Sequence, residues 1–273
     1  MIKNNILGVG INFDMSYNEV ISNCRNYISK GRKSYVVTVN PEFVVDAQSD
    51  PTFRSVLNNA DIATPDGIGI VIARDVLDKS NLAAKFWVLV SAVFNAQKYA
   101  NKRITGVDLT TQLLSVCDKE RLSIVLLGGS SDTSIHSEGV SGALSEVVHK
   151  KYPNINLVCY SSKFNSPEED RASVNFINEK ISSCGLESVD IVFVAYGHPK
   201  QEKWIHNNIN NVNGTLFIGV GGTFDFLVGK RRRSPDFYIR HHIEWLYRLL
   251  HQPSRFKRIY KAVIRFLLLL LSK

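Results

Sequence analysis

The chain has 273 residues, 44% of them hydrophobic and 21% charged, with a net charge of +8. That length and apolar content can bury a large core, which excludes disorder and favours one α/β domain with an appendage over two independent domains. The four cysteines, Cys24, Cys117, Cys159 and Cys184, form no C-x-x-C pair, so a zinc site and a disulfide framework are both unsupported and a reducing cytoplasm is expected.

Met1 to Asp14 carries no basic start followed by an apolar run and a small-residue cleavage site, so no signal peptide is expected. The first apolar run, NILGVGI, reads as a strand. Ser16 and Glu19 have capping-box spacing, and Gly31 closes the helix they open. SYVVTVN and ADIAT read as the next strands, the second leading into Pro65, Asp66 and Gly67. Further along, LSIVLLG, NLVCY, DIVFVAYG and TLFIGVG are strands, with a helix between the second and third that starts at Ser166, Pro167 and Glu169 and stops at Gly185. Apolar, β-branched runs alternating with helical patterns predict an α/β fold, a mostly parallel Rossmann-like sheet flanked by helices. No internal repeat or low-complexity linker interrupts it.

Polar and glycine residues collect after these strands: Asn40, Asp66, Gly128 and Gly129, Gly197 to Glu202, and Asp225. Ligands of open α/β sheets bind outside the carboxyl ends of the strands, so these segments are expected to converge on one crevice. Asp66 is then either a functional carboxylate at its mouth or an N-cap for a helix beginning near Ile68. Gly67 and Gly69 do not complete a dinucleotide fingerprint, because the third glycine is missing. LLGGSSD reads as a phosphate or ribose cradle at a helix start, or as an ordinary turn. HPKQEKW puts His198, Lys200, Gln201 and Glu202 on the first turn of a helix, either as ligand contacts or as a solvated start with Trp204 packed inward. The seven histidines have no metal spacing, and there is no Asp-x-Asp. Glu168 and Asp170 imitate one, but in a first helical turn, where acids complement the dipole.

From Lys230 to Lys273 there are twelve Lys and Arg against two acids, a net +10, leaving −2 for the other 229 residues. The tail ends AVIRFLLLLLSK, short of the roughly 20 apolar residues that span a bilayer. Trp245, Tyr247, Phe256, Tyr260 and Phe266 interleave with its basic residues, the composition of an interfacial helix drawn to anionic lipid. A leucine run serves no purpose on a phosphate backbone, so an anionic membrane surface is expected as partner and nucleic acid is not. The expected division is an α/β core, 1–229, and a basic amphipathic helical membrane-binding appendage, 230–273.

Five blocks in order, TVNPEFVVDAQSDPTFRSVLNNADIATPDGIGIVIA, RITGVDL, VAYGHPKQEKWI, GVGGTFDFLVGKRRRSP and IEWLYRLLHQPSRFKR, resemble the WecG/TagA/CpsF glycosyltransferases over roughly residues 5 to 260. The resemblance implies transfer, with inversion, of a sugar from a UDP donor to a polyprenyl-diphosphate-linked saccharide in cell-surface polysaccharide synthesis. The sugar implied is N-acetylmannosamine or its uronic acid, with a hexose left open. The place implied is the inner face of the cytoplasmic membrane, peripherally.

On that resemblance Asp66 is the general base, and Thr38 and Asn40, matching T-x-N, bind sugar hydroxyls or orient the base. Gly67 and Gly69 let substrate approach the backbone. Gly128 and Gly129 remain the cradle, and Gly197, Lys200 and Gln201 belong to the donor-binding loop. Arg248, Arg255 and Arg258, with Arg103, fold over the leaving diphosphate, because a planar guanidinium grips phosphate oxygens in pairs. No metal and no cofactor are expected. Lipid headgroup contact is the alternative for the tail arginines. If they order on the membrane, the site is complete only where the acceptor is found.

Two departures from the family pattern stand out. Where a short connection is usual, this chain carries LDKSNLAAKFWVLVSAVFNAQKYANK, and the apolar segment within 79–102 reads as a buried helix, a subunit contact or a further membrane contact. Ser234 replaces the usual alanine of R-A-P. Self-association is open, with no oligomer count. Two other classes compete: a noncatalytic protein that binds lipid-linked saccharide, and a nucleotide-cofactor oxidoreductase, which the incomplete glycine fingerprint disfavours.

Overall fold

The computed structural model describes residues 2–95, 98–99, 102–131, 134, 136–163, 169–231, 234–235, 237–238, 244–251 and 255–273, without the side chains of 93, 94 and 248. Its elements in chain order are β1 (Asn4–Ile6), β2 (Val9–Ile11), α1 (Tyr17–Ser29), β3 (Ser34–Val39), α2 (Pro41–Ser49), α3 (Pro51–Asn59), β4 (Ile62–Pro65), α4 (Ile68–Leu77) and α5 (Leu82–Phe94). Then come α6 (Gly106–Glu120), β5 (Ser123–Gly128), α7 (Gly139–Lys151), β6 (Asn156–Ser161), α8 (Asp170–Ser183), β7 (Val189–Ala195), α9 (Lys200–Asn208), β8 (Gly214–Gly219) and α10 (Thr223–Leu227). The tail contributes α11 (Glu244–His251), α12 (Phe256–Tyr260), a π-helical turn (Lys261–Arg265) and α13 (Phe266–Leu271).

A six-stranded sheet runs in the order β4-β3-β8-β7-β5-β6, and the pairs β3·β8, β8·β7, β7·β5 and β5·β6 are parallel. The expected α/β class holds. The physical reason is visible in β5 and β8, each buried along its whole length, as strands covered on both faces must be. One expectation is corrected: NILGVGI is two short strands, β1 and β2, paired antiparallel outside the main sheet. Leu7 and Gly8 both take positive φ, 53° and 90°, the requirement of a two-residue hairpin turn whose twist matches its strands.

The chain forms two compact units. One comprises Met1–Ser16, Thr38–Thr105 and Arg233–Lys273, the other Tyr17–Val37 and Gly106–Arg232. In the second unit β5, β7 and β8 carry the core, and α1 buries Val20, Cys24 and Tyr27. Trp204 of α9 packs inward as expected, its indole N–H donating to Ser173 Oγ of α8 at 3.0 Å. The helix read from Ser166 to Gly185 is α8; Ser166, Pro167 and Glu168 lie outside the described residues.

In the first unit α2 and α3 begin the same way. Asn40 and Asp50 are N-caps, each followed by a proline at the first helical position, where a missing N–H removes nothing the helix would use. The tail packs within this unit. Arg258 of α12 pairs with Glu42 and Lys261 with Asp46, both on α2, and Phe266 and Leu270 of α13 are buried. The leucine run is therefore divided, Leu270 inward and Leu268 outward. No helix among the described residues is long and apolar enough to cross a membrane.

All four cysteines are free thiols, and burial pushes Cys24, Cys117 and Cys159 up to about 12. A thiol reagent at about pH 8 is expected to label Cys184 alone in the native protein and all four in denaturant, because the thiolate is the reactive form. A second fast-reacting native thiol, counted by mass spectrometry, would mean that the core is looser than the packing described.

Candidate active site

β4 ends at Pro65, and the next residue, Asp66, donates its backbone N–H to Val39 O of β3 at 2.8 Å. The N-cap of α4 is Gly67, at φ 110°, with no side-chain cap hydrogen bond, so the capping alternative for Asp66 is not what the chain adopts. Asp66 precedes the cap and is half-buried at the end of a helix that presents partial positive charge. At Gly67 and Gly69 the missing side chains also admit another part of the chain. A Cβ on Gly67 would lie 3.3 Å from Pro41 Cδ, and one on Gly69 would lie 3.0 Å from Pro41 Cγ. What comes close to these glycines is the first turn of α2.

Asn40 is committed as well. Its Oδ1 accepts from Glu42 N at 2.9 Å and Phe43 N at 3.3 Å, which fixes the amide orientation and leaves Nδ2 as the donor for any further contact. Thr38, near the end of β3, is half-buried. Ile104 N donates to Pro65 O at 3.0 Å, so RITG runs beside the strand end that carries Asp66.

Two of the four arginines expected around the diphosphate, Arg103 and Arg258, are paired with carboxylates. Arg103 Nη1 lies 2.6 Å from Glu244 Oε2, with the two side chains only 16% and 17% exposed. Arg258 grips Glu42 with two nitrogens: Nε to both carboxylate oxygens at 3.0 Å and Nη2 to Oε2 at 2.8 Å. Its side chain is 50% exposed. Arg255 stands at the N-cap position of α12, half-buried, and the Arg248 side chain lies outside the described residues.

The second unit holds Gly128, Gly129, Gly197, Lys200 and Gln201. A Cβ on Gly128 would meet Tyr196 Cδ1 at 2.6 Å and the Ala195 backbone at 2.8 Å, so the glycine serves the close approach of β7. Gly129 N donates to Ala195 O at 2.9 Å, and α7 begins only at Gly139. Gly128 ends β5 and Gly129 follows it, so neither glycine stands at the start of α7. Gly197, at φ 76°, has open space around its Cβ position, and Lys200 is exposed on the first turn of α9.

Gln201 is 3% exposed, and its amide is occupied on both sides. Oε1 accepts from Gly197 N at 3.1 Å and Gly221 N at 2.9 Å, while Nε2 donates to Glu202 Oε1 at 2.6 Å. It ties the loop after β7 to the loop after β8. Asp225 is taken up by Arg231, with Nε 3.0 Å from Oδ2. Sequence reasoning missed Pro41, Glu42 and Glu244, which hold expected residues in place; a glutamate directly after the Asn40-Pro41 pair was the available signal.

A family model described as Glycosyl transferase WecG/TagA/CpsF family matches residues 4–273. Among curated relatives, an N-acetylglucosaminyldiphosphoundecaprenol N-acetyl-beta-D-mannosaminyltransferase of Bacillus subtilis is 32% identical over 235 residues, 86% of this chain and 78% of the relative. The Bacillus spizizenii protein of the same name is 30% identical over 233 residues, 85% and 77% of the two chains. The Staphylococcus aureus one is 27% identical over 254 residues, 92% and 86%. This α/β chain is thus a glycosyltransferase by descent. It belongs to the WecG/TagA/CpsF family.

Gln201→Ala is expected to destabilise the fold by about 1–3 kcal/mol, because Gly197, Gly221 and Glu202 lose a shared partner. Urea unfolding reads this directly. An unmoved midpoint with a raised donor KM would instead make Gln201 a ligand contact.

Proposed function

We propose that the chain transfers an N-acetylmannosamine-type residue from a UDP donor to N-acetylglucosamine on a polyprenyl diphosphate, with inversion, during cell-surface polysaccharide synthesis. The observation that carries this reading is the family match along almost the whole chain, with relatives bearing that acceptor and that sugar in their names. The position of Asp66 supports it chemically. Inversion needs a base on one face of the sugar to take the acceptor hydroxyl proton while the diphosphate departs from the other. Asp66 fills that role, with Thr38 and the Asn40 Nδ2 as donors to sugar oxygens.

Charge developing on the leaving diphosphate falls to the arginines, with Arg258 exchanging Glu42 for phosphate oxygens in the same forked geometry. No metal takes part. The basic tail keeps the enzyme on the cytoplasmic side of the membrane, where a lipid-linked acceptor is presented.

Asp66→Asn is expected to leave donor KM and melting temperature nearly unchanged and to lower kcat by about a hundredfold or more, as loss of a general base does. Since Gly67 is the helix cap, a large fall in melting temperature with normal turnover would refute the assignment.

Transfer is also expected to persist in EDTA, measured as radiolabel from UDP-N-acetylmannosamine entering a lipid-diphosphate acceptor. Activity that disappears and returns only with Mg²⁺ or Mn²⁺ would mean that a metal, not arginine, carries the leaving charge.

A further inference from the structure

α5 is built inside out. Its lysine, Lys85, is 4% exposed, while Phe86 and Trp87 are 62% and 70% exposed. Leu82 is exposed one turn before Phe86 on the same side, and the opposite side packs through Ala92 against Val71, Ile68 and Ile72 of α4. A helix in water turns its cation outward and its aromatic rings inward. Lys85 is kept in by its contact with the tail: Nζ donates to Leu270 O of α13 at 3.4 Å, where a cation meets the unsatisfied carbonyls of a helix end. The apolar outer face of α5 is thereby anchored beside the end of the leucine run.

We propose that the N-terminal half of α5, through Leu82, Phe86 and Trp87, inserts into the interface of an anionic lipid bilayer, as an element separate from the basic tail it borders. Three observations select lipid over another occupant. The first is charge: from Trp245 to Lys273 there are seven Lys and Arg and no acid, with Arg265 and Lys273 exposed on either side of Leu270. Such a flank attracts anionic headgroups. A symmetric second copy would bring the same cations towards one another.

The second is length. α5 has 13 residues, which at about 1.5 Å per residue reaches roughly 20 Å, too short to span a bilayer and suited to lying along its surface. The third is residue type: Trp and Phe with Leu on one helical face are the side chains that settle at the headgroup boundary. The inference uses the family reading only for the lipid character of the acceptor and not for the role of Asp66.

The test uses the full chain and co-sedimentation with phosphatidylcholine vesicles, with and without phosphatidylglycerol, in the absence of donor. Phe86→Ser with Trp87→Ser is expected to lower partitioning to anionic vesicles by about tenfold or more. Far-UV circular dichroism and transfer to a soluble acceptor analogue should stay as in the wild type. Should the double variant fold poorly, Trp87→Phe serves in a Trp245→Phe background: brominated lipid is expected to quench tryptophan fluorescence of the background protein, and adding Trp87→Phe should remove most of that quenching. Unchanged vesicle binding, or unchanged quenching in Trp87→Phe, would overturn the proposal. So would light scattering that shows an oligomer dissolved by the double variant while vesicle binding persists, since the face would then join two copies. If vesicle binding falls as expected in a protein that transfers no sugar to any acceptor, the lipid face stands and the proposed reaction fails.

Discussion

The seating of Pro41 against Gly67 and Gly69 is the contact on which the functional end of the first unit depends. Two helix starts, those of α2 and α4, can lie this close only because one contributes a ring without an N–H and the other two residues without Cβ atoms. Each neighbour of that contact has a place in the proposed chemistry. Asp66 precedes Gly67, Asn40 precedes Pro41, and Glu42 follows it to hold Arg258. Phe266 completes the arrangement from the tail: a Cβ on Gly69 would lie 3.7 Å from its ring. A single helical turn thus sets Asp66, an arginine and the docking of the C-terminal helix together.

The sheet was legible where burial is two-sided. LSIVLLG, DIVFVAYG and TLFIGVG are mostly apolar because β5, β7 and β8 are buried along nearly their whole length. NILGVGI was misread for a reason of the same kind. An apolar run seven residues long resembles a buried strand unless a turn signal interrupts it, and Leu7 at φ 53° is not a residue that turn chemistry favours. The Asn-Pro and Asp-Pro pairs that open α2 and α3 are local rules and could be read from the chain alone.

In the candidate site, positions were more legible than partners. Polar residues after strand ends marked Asn40, Asp66 and Gly197, which do follow strands, and Gln201, which stands on the first turn of the next helix, α9. What each one does there depends on residues far away in sequence. A Cβ on Gly128 would meet Tyr196 and Ala195, and the Gln201 amide bonds Gly221 and Glu202, contacts that the local sequence does not announce. The pairs Arg103–Glu244 and Arg258–Glu42 join residues 141 and 216 positions apart, a separation that leaves no periodic trace in a sequence.

Those two pairs are not equivalent, and their difference bears on the proposed reaction. Both partners in the Arg103–Glu244 pair are mostly buried, so drawing the guanidinium away would leave a carboxylate desolvated and unpaired, at a cost of several kcal/mol. Arg103 therefore acts first as the residue that holds the start of α11 against RITG. Arg258 is half exposed, and its attraction to Glu42 is weakened by solvent. Its fork is already arranged for two oxygens of one planar anion, the arrangement that a phosphate can take over with greater charge. Of the four arginines, Arg258 has the visible means to exchange a protein carboxylate for a leaving diphosphate, and Glu42, fixed at the start of α2, keeps it poised there in the meantime.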